Sequence, residues 1–307
     1  MVDLTLTDEQ KDLRELAHSF AEKDIRKVAW EYDKDGTWPQ DIIEKAWEIG
    51  LMNTHVAEEY GGPGLDYLSG CLIEEEMGWG CSGIGTSLMA NGLASAPVSL
   101  GGSDEVKKEY LGMLTEAPKL ASFCLTEPDA GSDVSGMKTT AVKQGDKYVI
   151  NGSKCFITNG GYADWFTVYA KTDKDAGHRG ISAFVVPKDD TVTEDKKEDK
   201  LGQRASDTAQ VMLDGVVVPP AQVLAPPGHG FKVAMETFNQ TLTWRPRSRP
   251  PACSCGSPRS CSTRGSATRW PPRTRSGSHR TPRWRSPPTP CRSTAGTASS
   301  RSTRSRS

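Results

Sequence analysis

Three short segments of the chain carry residue types that could contact a ligand. The first spans residues 124–136 and reads CLTEPDAGSDVSG. It joins a predicted strand to a loop of small residues and hydroxyls, which offers backbone N–H groups and close approach to a phosphate or a planar heterocycle. An ordinary turn explains the same residues, so this segment alone favours a turn over a ligand site.

The other two segments follow at wide spacing. Residues 156–161 read FITNGG and place the Phe156 ring two residues before the Thr158 hydroxyl, although a buried ring and a hydrogen-bonded hydroxyl explain this more simply. Residues 201–208 read LGQRASDT, in which Arg204 and Asp207 could form only an ion pair. They follow a run of acids and lysines, residues 194–200, that we interpret as a solvated surface loop.

The elements before the first segment are predicted to be helical. Thr7 and Gln10 form a capping-box pattern, and residues 39–49 predict a second helix that ends at Gly50. The Gly-rich residues 60–64 break the pattern. Helical spacing returns in three further stretches, residues 68–77, 88–93 and 103–114, and Ser103 is predicted to cap the last of them.

From about Lys119 the hydrophobic period changes towards 2, which predicts strands. The Asn151-Gly152 pair predicts a hairpin turn, and Pro219-Pro220 ends the sheet. Predicted strands include residues 148–150, 166–169, 181–186, 211–213 and 216–218. A third helical region begins near Gly230.

Charge and composition divide the chain near residue 242. Residues 1–242 carry 23 Lys and Arg against 39 Asp and Glu, whereas residues 243–307 carry 15 Arg and no acidic residue. These last residues also lack Val, Ile, Leu, Met, Phe and Tyr, so they have little to bury and are predicted to be disordered. The predicted domains are residues 1–118, helical; 119–227, β; 228–242, the start of a helical domain; and 243–307, an Arg-, Ser- and Pro-rich tail.

Several classes of protein are excluded by what residues 1–242 lack. No apolar run is long enough for a membrane span, and the N-terminus has no signal or transit pattern, so we expect a cytoplasmic protein. Cys71, Cys81, Cys124 and Cys155 form no ligand-spaced set. We therefore expect reduced buried thiols and no metal site.

Taken together, the three segments and residues 228–232, GHGFK, resemble one family, the flavin-dependent acyl-CoA dehydrogenases. The resemblance is nearest to the short- and medium-chain members and covers about residues 4–241. It implies an α+β fold, with an N-terminal all-α domain and a middle β-barrel or sandwich domain. A C-terminal helical bundle would follow in the family, and in this chain we expect it to be missing or disordered.

The resemblance also implies which residues bind FAD and substrate. Thr126 would donate to the pyrimidine edge of the flavin and Thr158 would lie beside flavin N5, where a donor stabilises the reduced ring. The implied substrate-binding residues are Ser132, Asn239 and Thr241. Residues 88–96 would form a wall of the acyl cavity, although core packing explains the small residues Gly92, Ala94 and Ala96 equally well. The implied cofactor-binding residues are Phe123, Leu125, Thr126, Gly131, Ser132, Phe156, Ile157 and Thr158.

The implied reaction is α,β-dehydrogenation of an acyl-CoA thioester, as in fatty-acid β-oxidation. A carboxylate base removes the α-proton while hydride leaves the β-carbon for the flavin, and an electron-transfer flavoprotein accepts the electrons. Leu65, Leu68 and Leu72 resemble the docking patch for that protein, although a helix core face explains them nearly as well. Family members form homotetramers largely through the C-terminal bundle, so we do not expect a tetramer of this chain.

The sequence departs from the family after residues 239–241. Leu242 stands where an Arg is expected, and residues 243–307 offer no Glu or Asp to serve as the base, so no catalytic residue is assigned. Every residue type in this tail except His279 has codons with G or C in second position, which indicates GC-rich DNA read out of frame. We therefore expect a frameshifted C-terminus and an impaired enzyme.

Two alternatives remain open. The 15 arginines of the tail could neutralise phosphates in a nucleic acid, and its three tryptophans could stack on bases. The tail has no RGG or regular RS repeat, however, and the out-of-frame reading explains its missing residue types. The second alternative is an acyl-CoA oxidase-like flavoenzyme, which nothing in residues 1–242 separates from a dehydrogenase.

Overall fold

The structure is a computed structural model that describes residues 5–241. The predicted tail, residues 243–307, and the predicted C-terminal bundle lie outside the described residues. The described part consists of an N-terminal helical domain followed by a mixed-sheet domain and one further helix, which confirms the expected fold class.

The helical domain contains six α-helices. Both predicted caps are present: Thr7 Oγ1 accepts from the Gln10 N–H at 3.2 Å, and the Ser103 side chain caps the last of the six helices. The helices are α1, Asp8–Phe20; α2, Ala29–Asp35; α3, Gln40–Glu48; α4, Tyr67–Gly80; α5, Ser82–Gly101; and α6, Asp104–Glu116. A π-helical turn, Ala21–Ile25, continues α1.

Two helices differ from the sequence prediction. α2 was not predicted, because it buries no side chain and so lacks an apolar stripe. α5 spans 20 residues, more than three times the length of the predicted stretch, and continues through Pro97. It is apolar on all sides, so hydrophobic spacing gives no clear sign of where it begins or ends.

The mixed-sheet domain contains eight strands. They are β1, Ala121–Cys124; β2, Thr140–Gln144; β3, Lys147–Thr158; β4, Trp165–Lys171; β5, Ile181–Pro187; β6, Val192–Lys197; β7, Thr208–Val218; and β8, Val223–Leu224. The strand order is β6-β7-β3-β2-β4-β5-β8, and β1 pairs in parallel with β4. Only Thr140 and Lys171 join β2 to β4, so the sheet bends there. The Tyr148 and Phe184 rings, on non-neighbouring strands, meet at 5.4 Å across the enclosed core, as in a sandwich.

Four strand predictions were wrong, one of them that Pro219-Pro220 ends the sheet, since β8 follows this pair and joins β5. Asn151 and Gly152 do not form a turn, since β3 runs through them with a shift in register. A Cβ on Gly152 would lie 2.3 Å from the Thr139 hydroxyl, so close approach explains this glycine. Residues 211–218 belong to one strand, and part of the charged run 194–200 forms the edge strand β6, whose exposed charges discourage edge-to-edge pairing.

The last described helix, α7, spans Gly230–Thr241 and packs on α5 and β5. A Cβ on Gly230 would lie 2.5 Å from the Ser182 carbonyl carbon, so only glycine permits this packing. Among the described cysteines, none forms a disulfide. Cys124 and Cys155 are buried as predicted, whereas the prediction was wrong for Cys71, which is exposed. No helix within residues 5–241 is long and apolar enough to cross a membrane.

The loop before β7 is fixed to the helical domain by Arg204. Its backbone N–H donates to Asp33 Oδ1 at 2.8 Å, and its guanidinium donates to Asp33 Oδ2 at 3.0 Å. Beside this contact the Trp38 and Tyr162 rings stack 4.0 Å apart with planes 5° from parallel. The two domains are therefore held by directional contacts as well as by apolar burial.

We expect Asp33→Ala to destabilise the fold by about 2 kcal/mol, because it removes acceptors from a charged donor and a backbone N–H. The free energy of unfolding in urea measures this. Asp35→Ala is the matched control, since Asp35 is exposed on the same helix and should leave the midpoint unchanged. Equal losses in both variants would contradict the role given to Asp33.

Candidate functional site

A cavity of about 680 Å³ lies where the two domains meet. Its walls come from the segment between α3 and α4, from α4 and α5, from β1 and the two residues after it, from the end of β3 and from the C-terminal half of α7. The cavity is large enough for a cofactor-sized ligand. Six of the eight sequence-predicted cofactor residues line it: Phe123, Leu125, Thr126, Phe156, Ile157 and Thr158.

Helix periodicity explains how α4 and α5 form two of the walls. The α4 residues that line the cavity, Tyr67, Gly70, Cys71 and Glu74, share one helical face. The α5 wall repeats the same spacing and is formed by Thr86, Met89, Ala90, Leu93, Ala96 and Ser99, joined by Gly92. Other faces of both helices pack in the core, so α4 and α5 have no polar stripe.

Thr126 and Thr158 present hydroxyls to the cavity from two neighbouring segments. The Cys155 N–H donates to the Thr126 carbonyl oxygen at 3.0 Å, which holds the chain after β1 against β3. Within residues 5–241 neither hydroxyl makes a hydrogen bond to another residue. Both are therefore available to a ligand with polar edges.

Phe156 has a left-handed backbone conformation, which a residue with a bulky side chain rarely adopts. Its backbone φ is +58°, and it lies in an irregularity of β3 where the pairing with β7 shifts register between Lys154 and Ile157. Its ring is 64% exposed although it lines the cavity. A strained backbone that displays an aromatic ring suggests that the ring serves a ligand. The simpler explanation given above, a buried ring, does not hold for Phe156.

A buried ion pair fixes this irregularity to the loop after β1. Lys154 Nζ donates to Glu127 Oε1 at 2.7 Å and to the Leu125 carbonyl oxygen at 3.2 Å. The side chains of Lys154 and Glu127 are 0% and 4% exposed. A buried ion pair offsets the cost of removing both charges from water only when further hydrogen bonds satisfy each charged group.

Glu127 has those partners. Its carboxylate accepts the Lys138 N–H at 2.5 Å and the Thr139 N–H at 3.1 Å, besides Lys154. Burial opposes its charge, but the Lys154 charge and these donors together hold the pKa of Glu127 below its usual value. Glu127 and Lys154 thus tie the start of this loop, at Leu125, to its end, at Lys138 and Thr139.

The third sequence segment supports the second instead of lining the cavity. The Asp207 side chain accepts from the Gly161 N–H at 2.9 Å, and its carbonyl oxygen accepts from the Asn159 N–H at 3.1 Å. Arg204 is committed to Asp33. The ion pair between Arg204 and Asp207, the simpler alternative for this segment, is not present, since Arg204 pairs with Asp33.

The remaining sequence-predicted residues are not gathered at the cavity. Gly131 and Ser132 are exposed in the loop, and a Cβ on Gly131 would meet nothing within 4 Å. Asn239 is exposed, and Thr241 ends α7 with its side chain outside the described residues. Of the small α5 residues, Gly92 and Ala96 line the cavity, whereas Ala94 is buried in the core.

The predicted docking patch is only partly exposed. Leu68 is exposed, but Leu72 is buried and Leu65 faces the cavity. The sequence reading also missed His55, Glu74 and Gln240, which line the cavity. Each is a single polar residue without a motif around it, so local pattern gives no signal. Within residues 5–241 no cluster of His, Cys, Asp and Glu could hold a metal.

A second cleft of about 520 Å³ opens at the other end of α7. Its lining includes His178, Arg179, His229 and Lys232, and no carboxylate. The Phe231 ring lies 5.3 Å from the His178 ring and adds an aromatic surface. The cleft therefore suits an anionic group that carries a flat ring.

Comparison with known proteins gives the same two-domain division. Residues 7–117 match the family model described as acyl-CoA dehydrogenase, N-terminal domain, and residues 122–216 match acyl-CoA dehydrogenase, middle domain. The probable medium-chain specific acyl-CoA dehydrogenase 2 of Caenorhabditis briggsae is 45% identical over 254 residues, which are 78% of this chain and 62% of that protein.

Solved structures are similar over the same part. Butyryl-CoA dehydrogenase from Megasphaera elsdenii is 39% identical with a TM-score of 0.75, over 78% of this chain and 64% of that one. An acyl-CoA dehydrogenase complexed with FAD from Bacillus anthracis is 34% identical with a TM-score of 0.72, over 78% and 41%. The chain spans less than two thirds of the length of these relatives.

We expect Lys154→Met to destabilise the fold by about 3–5 kcal/mol, because the buried Glu127 carboxylate then has no positively charged partner. Urea unfolding followed by circular dichroism measures the loss. The control is Lys138→Met, whose ammonium contacts the exposed Asp129 carboxylate and whose loss should barely move the midpoint. A Lys154 variant as stable as the Lys138 variant would show that the pair does not fix the loop.

Proposed function

The chain belongs to the acyl-CoA dehydrogenase family, and from this premise we propose that it binds FAD together with a short- or medium-chain acyl-CoA thioester. The proposed flavin wall consists of Phe123, Leu125, Thr126, Phe156, Ile157 and Thr158. The proposed reaction class is α,β-dehydrogenation, in which a base takes the α-proton and hydride leaves the β-carbon.

One observation carries the FAD proposal: the strained, exposed Phe156 ring lies in the same cavity as two unpartnered hydroxyls, Thr126 and Thr158. A planar heterocycle with polar edges matches this arrangement, because its face can pack on the ring while its edge atoms meet the hydroxyls. FAD, when bound, supplies the acceptor for the hydride. Thr126 and Thr158 orient it through hydrogen bonds, and apolar residues such as Leu93 and Phe238 keep water from the cavity.

The two clefts fit the two ends of an acyl-CoA. The cavity between α4 and α5 offers apolar wall to an acyl chain, while the cationic cleft offers Arg179 and Lys232 to the phosphates of the nucleotide end. α7 runs between them, and its 12 residues span about 18 Å. A long ligand with an apolar and an anionic end is therefore favoured over a compact one.

Catalysis also needs a carboxylate base, which the family resemblance assigns to the region after residue 241. Residues 243–307 contain neither Asp nor Glu. We infer that this chain binds the thioester but removes the α-proton slowly. We further propose an electron-transfer flavoprotein as the acceptor of electrons, by the same resemblance.

We expect the full chain to quench FAD fluorescence on titration, and Phe156→Ala to weaken FAD binding by about tenfold, the effect of one lost aromatic contact. Phe156→Trp keeps a ring at this position and should retain the affinity. Val217→Ala, an exposed change on β7, serves as the control. If Phe156→Ala binds FAD with unaltered affinity, the Phe156 ring does not contact the flavin.

The second expectation concerns turnover. With FAD and an artificial electron acceptor, the chain should oxidise butyryl-CoA or octanoyl-CoA at least about 10²-fold more slowly than the Megasphaera elsdenii enzyme assayed beside it, because general-base catalysis contributes at least that factor. Equal rates would contradict the inferred loss of the base.

A further inference from the structure

His55 is a histidine that the proposed reaction does not use, yet it lines the cavity. It follows α3 in the loop that leads to α4 and lies over Gly92 of α5: a Cβ on Gly92 would be 3.5 Å from His55 Cε1. His55 is exposed to the open cavity, yet the protein atoms packed close to its ring partly desolvate it, and this desolvation lowers the pKa of His55 to about 4. The imidazole is therefore neutral at physiological pH.

One ring nitrogen is fixed and the other is not. His55 Nε2 lies 2.6 Å from Ser95 Oγ, and Ser95 Oγ is also within 3.3 Å of the Gly92 carbonyl oxygen. Within residues 5–241, Nδ1 has no hydrogen-bond partner. Nδ1 lies 3.7 Å from a Cβ built on Gly92, and both residues line the cavity, so the ring places one oriented polar atom at the α5 wall.

The hydrogen-bonding capacity of Nδ1 determines which ligand groups can pair with it. If Ser95 donates to Nε2, Nδ1 carries the proton; if Ser95 donates to Gly92, Nδ1 is an acceptor. A hydroxyl group pairs with either tautomer, since it both donates and accepts. A methylene group pairs with neither and leaves Nδ1 desolvated.

The charges around the cavity exclude a second class of group. Asp66 and Glu74 line it, and no Lys or Arg does so among the described residues. A carboxylate on the acyl chain would meet two acidic side chains and no counter-charge, and burial already raises the pKa of Glu74, so a further negative charge there is unfavourable.

Resting on the proposed function, we propose that His55, oriented by Ser95, is a specificity-determining residue for acyl-CoA thioesters whose acyl chain carries a neutral hydroxyl beyond the β-carbon. The hydroxyl hydrogen-bonds to His55 Nδ1. Unsubstituted and dicarboxylic acyl chains of equal length bind less tightly.

Isothermal titration of the full chain with added FAD tests this. The ligands are hexanoyl-CoA, its 4-, 5- and 6-hydroxy derivatives, and adipoyl-CoA. We expect at least one hydroxy derivative to bind about tenfold more tightly than hexanoyl-CoA, which is the effect of one hydrogen bond of typical net strength. Adipoyl-CoA should bind most weakly.

Variants then assign the preference to His55. His55→Phe keeps a ring and should abolish the preference, whereas His55→Asn places an amide near the position of Nδ1 and should retain part of it. His18→Phe makes the same change outside the cavity, where His18 contacts Glu76, and should bind as the wild type does.

Three results would overturn the inference. If hexanoyl-CoA binds as tightly as every hydroxy derivative, the inference fails and the proposed function stands. The same holds if the preference persists in His55→Phe. If no thioester binds to the folded chain, the proposed function fails as well.

Discussion

The buried pair of Lys154 and Glu127 is the constraint on which the site depends. It joins the loop after β1 to the irregular part of β3, and every remaining bond of the two charges goes to the backbone of that loop. The Phe156 conformation costs of order 1–3 kcal/mol and persists only where its surroundings over-determine it. The ion pair and the hydrogen bond from the Cys155 N–H to the Thr126 carbonyl oxygen hold the backbone on either side of Phe156. They therefore keep this conformation in place without a ligand.

Features of the fold that arise within one turn of chain could be read from the sequence. The caps at Thr7 and Ser103 are examples, because a side chain and the N–H groups three residues on are enough to form them. Gly152 could not be read in the same way. Its neighbour Asn151 gives a turn signal, but the need for glycine comes from Thr139 on the adjoining strand. Contacts between strands override a local propensity of this size.

The site shows the same division. The local pattern around Thr126 and Thr158 allowed a ligand site but favoured a turn and a hydrogen-bonded hydroxyl, and only the resemblance of whole segments placed them together at a site. Lys154 was not singled out, because a lysine in a strand reads as an exposed charge until its buried partner Glu127 is known. His55 lies outside every motif, and its unpartnered nitrogen is visible only once α5 is packed against its ring.

Net charge and local charge lead to opposite expectations for an anionic ligand. Residues 1–242 carry 16 more acidic than basic residues, and a field of that sign repels a nucleotide thioester at long range. Salt screens such a field within about 8 Å at physiological ionic strength, so it cannot decide what binds in a cleft. Inside the second cleft Arg179 and Lys232 act at contact distance without a carboxylate beside them. The proposed assignment of the two ligand ends to the two clefts therefore rests on the arrangement of charges at the two ends of α7, and not on their sum over the chain.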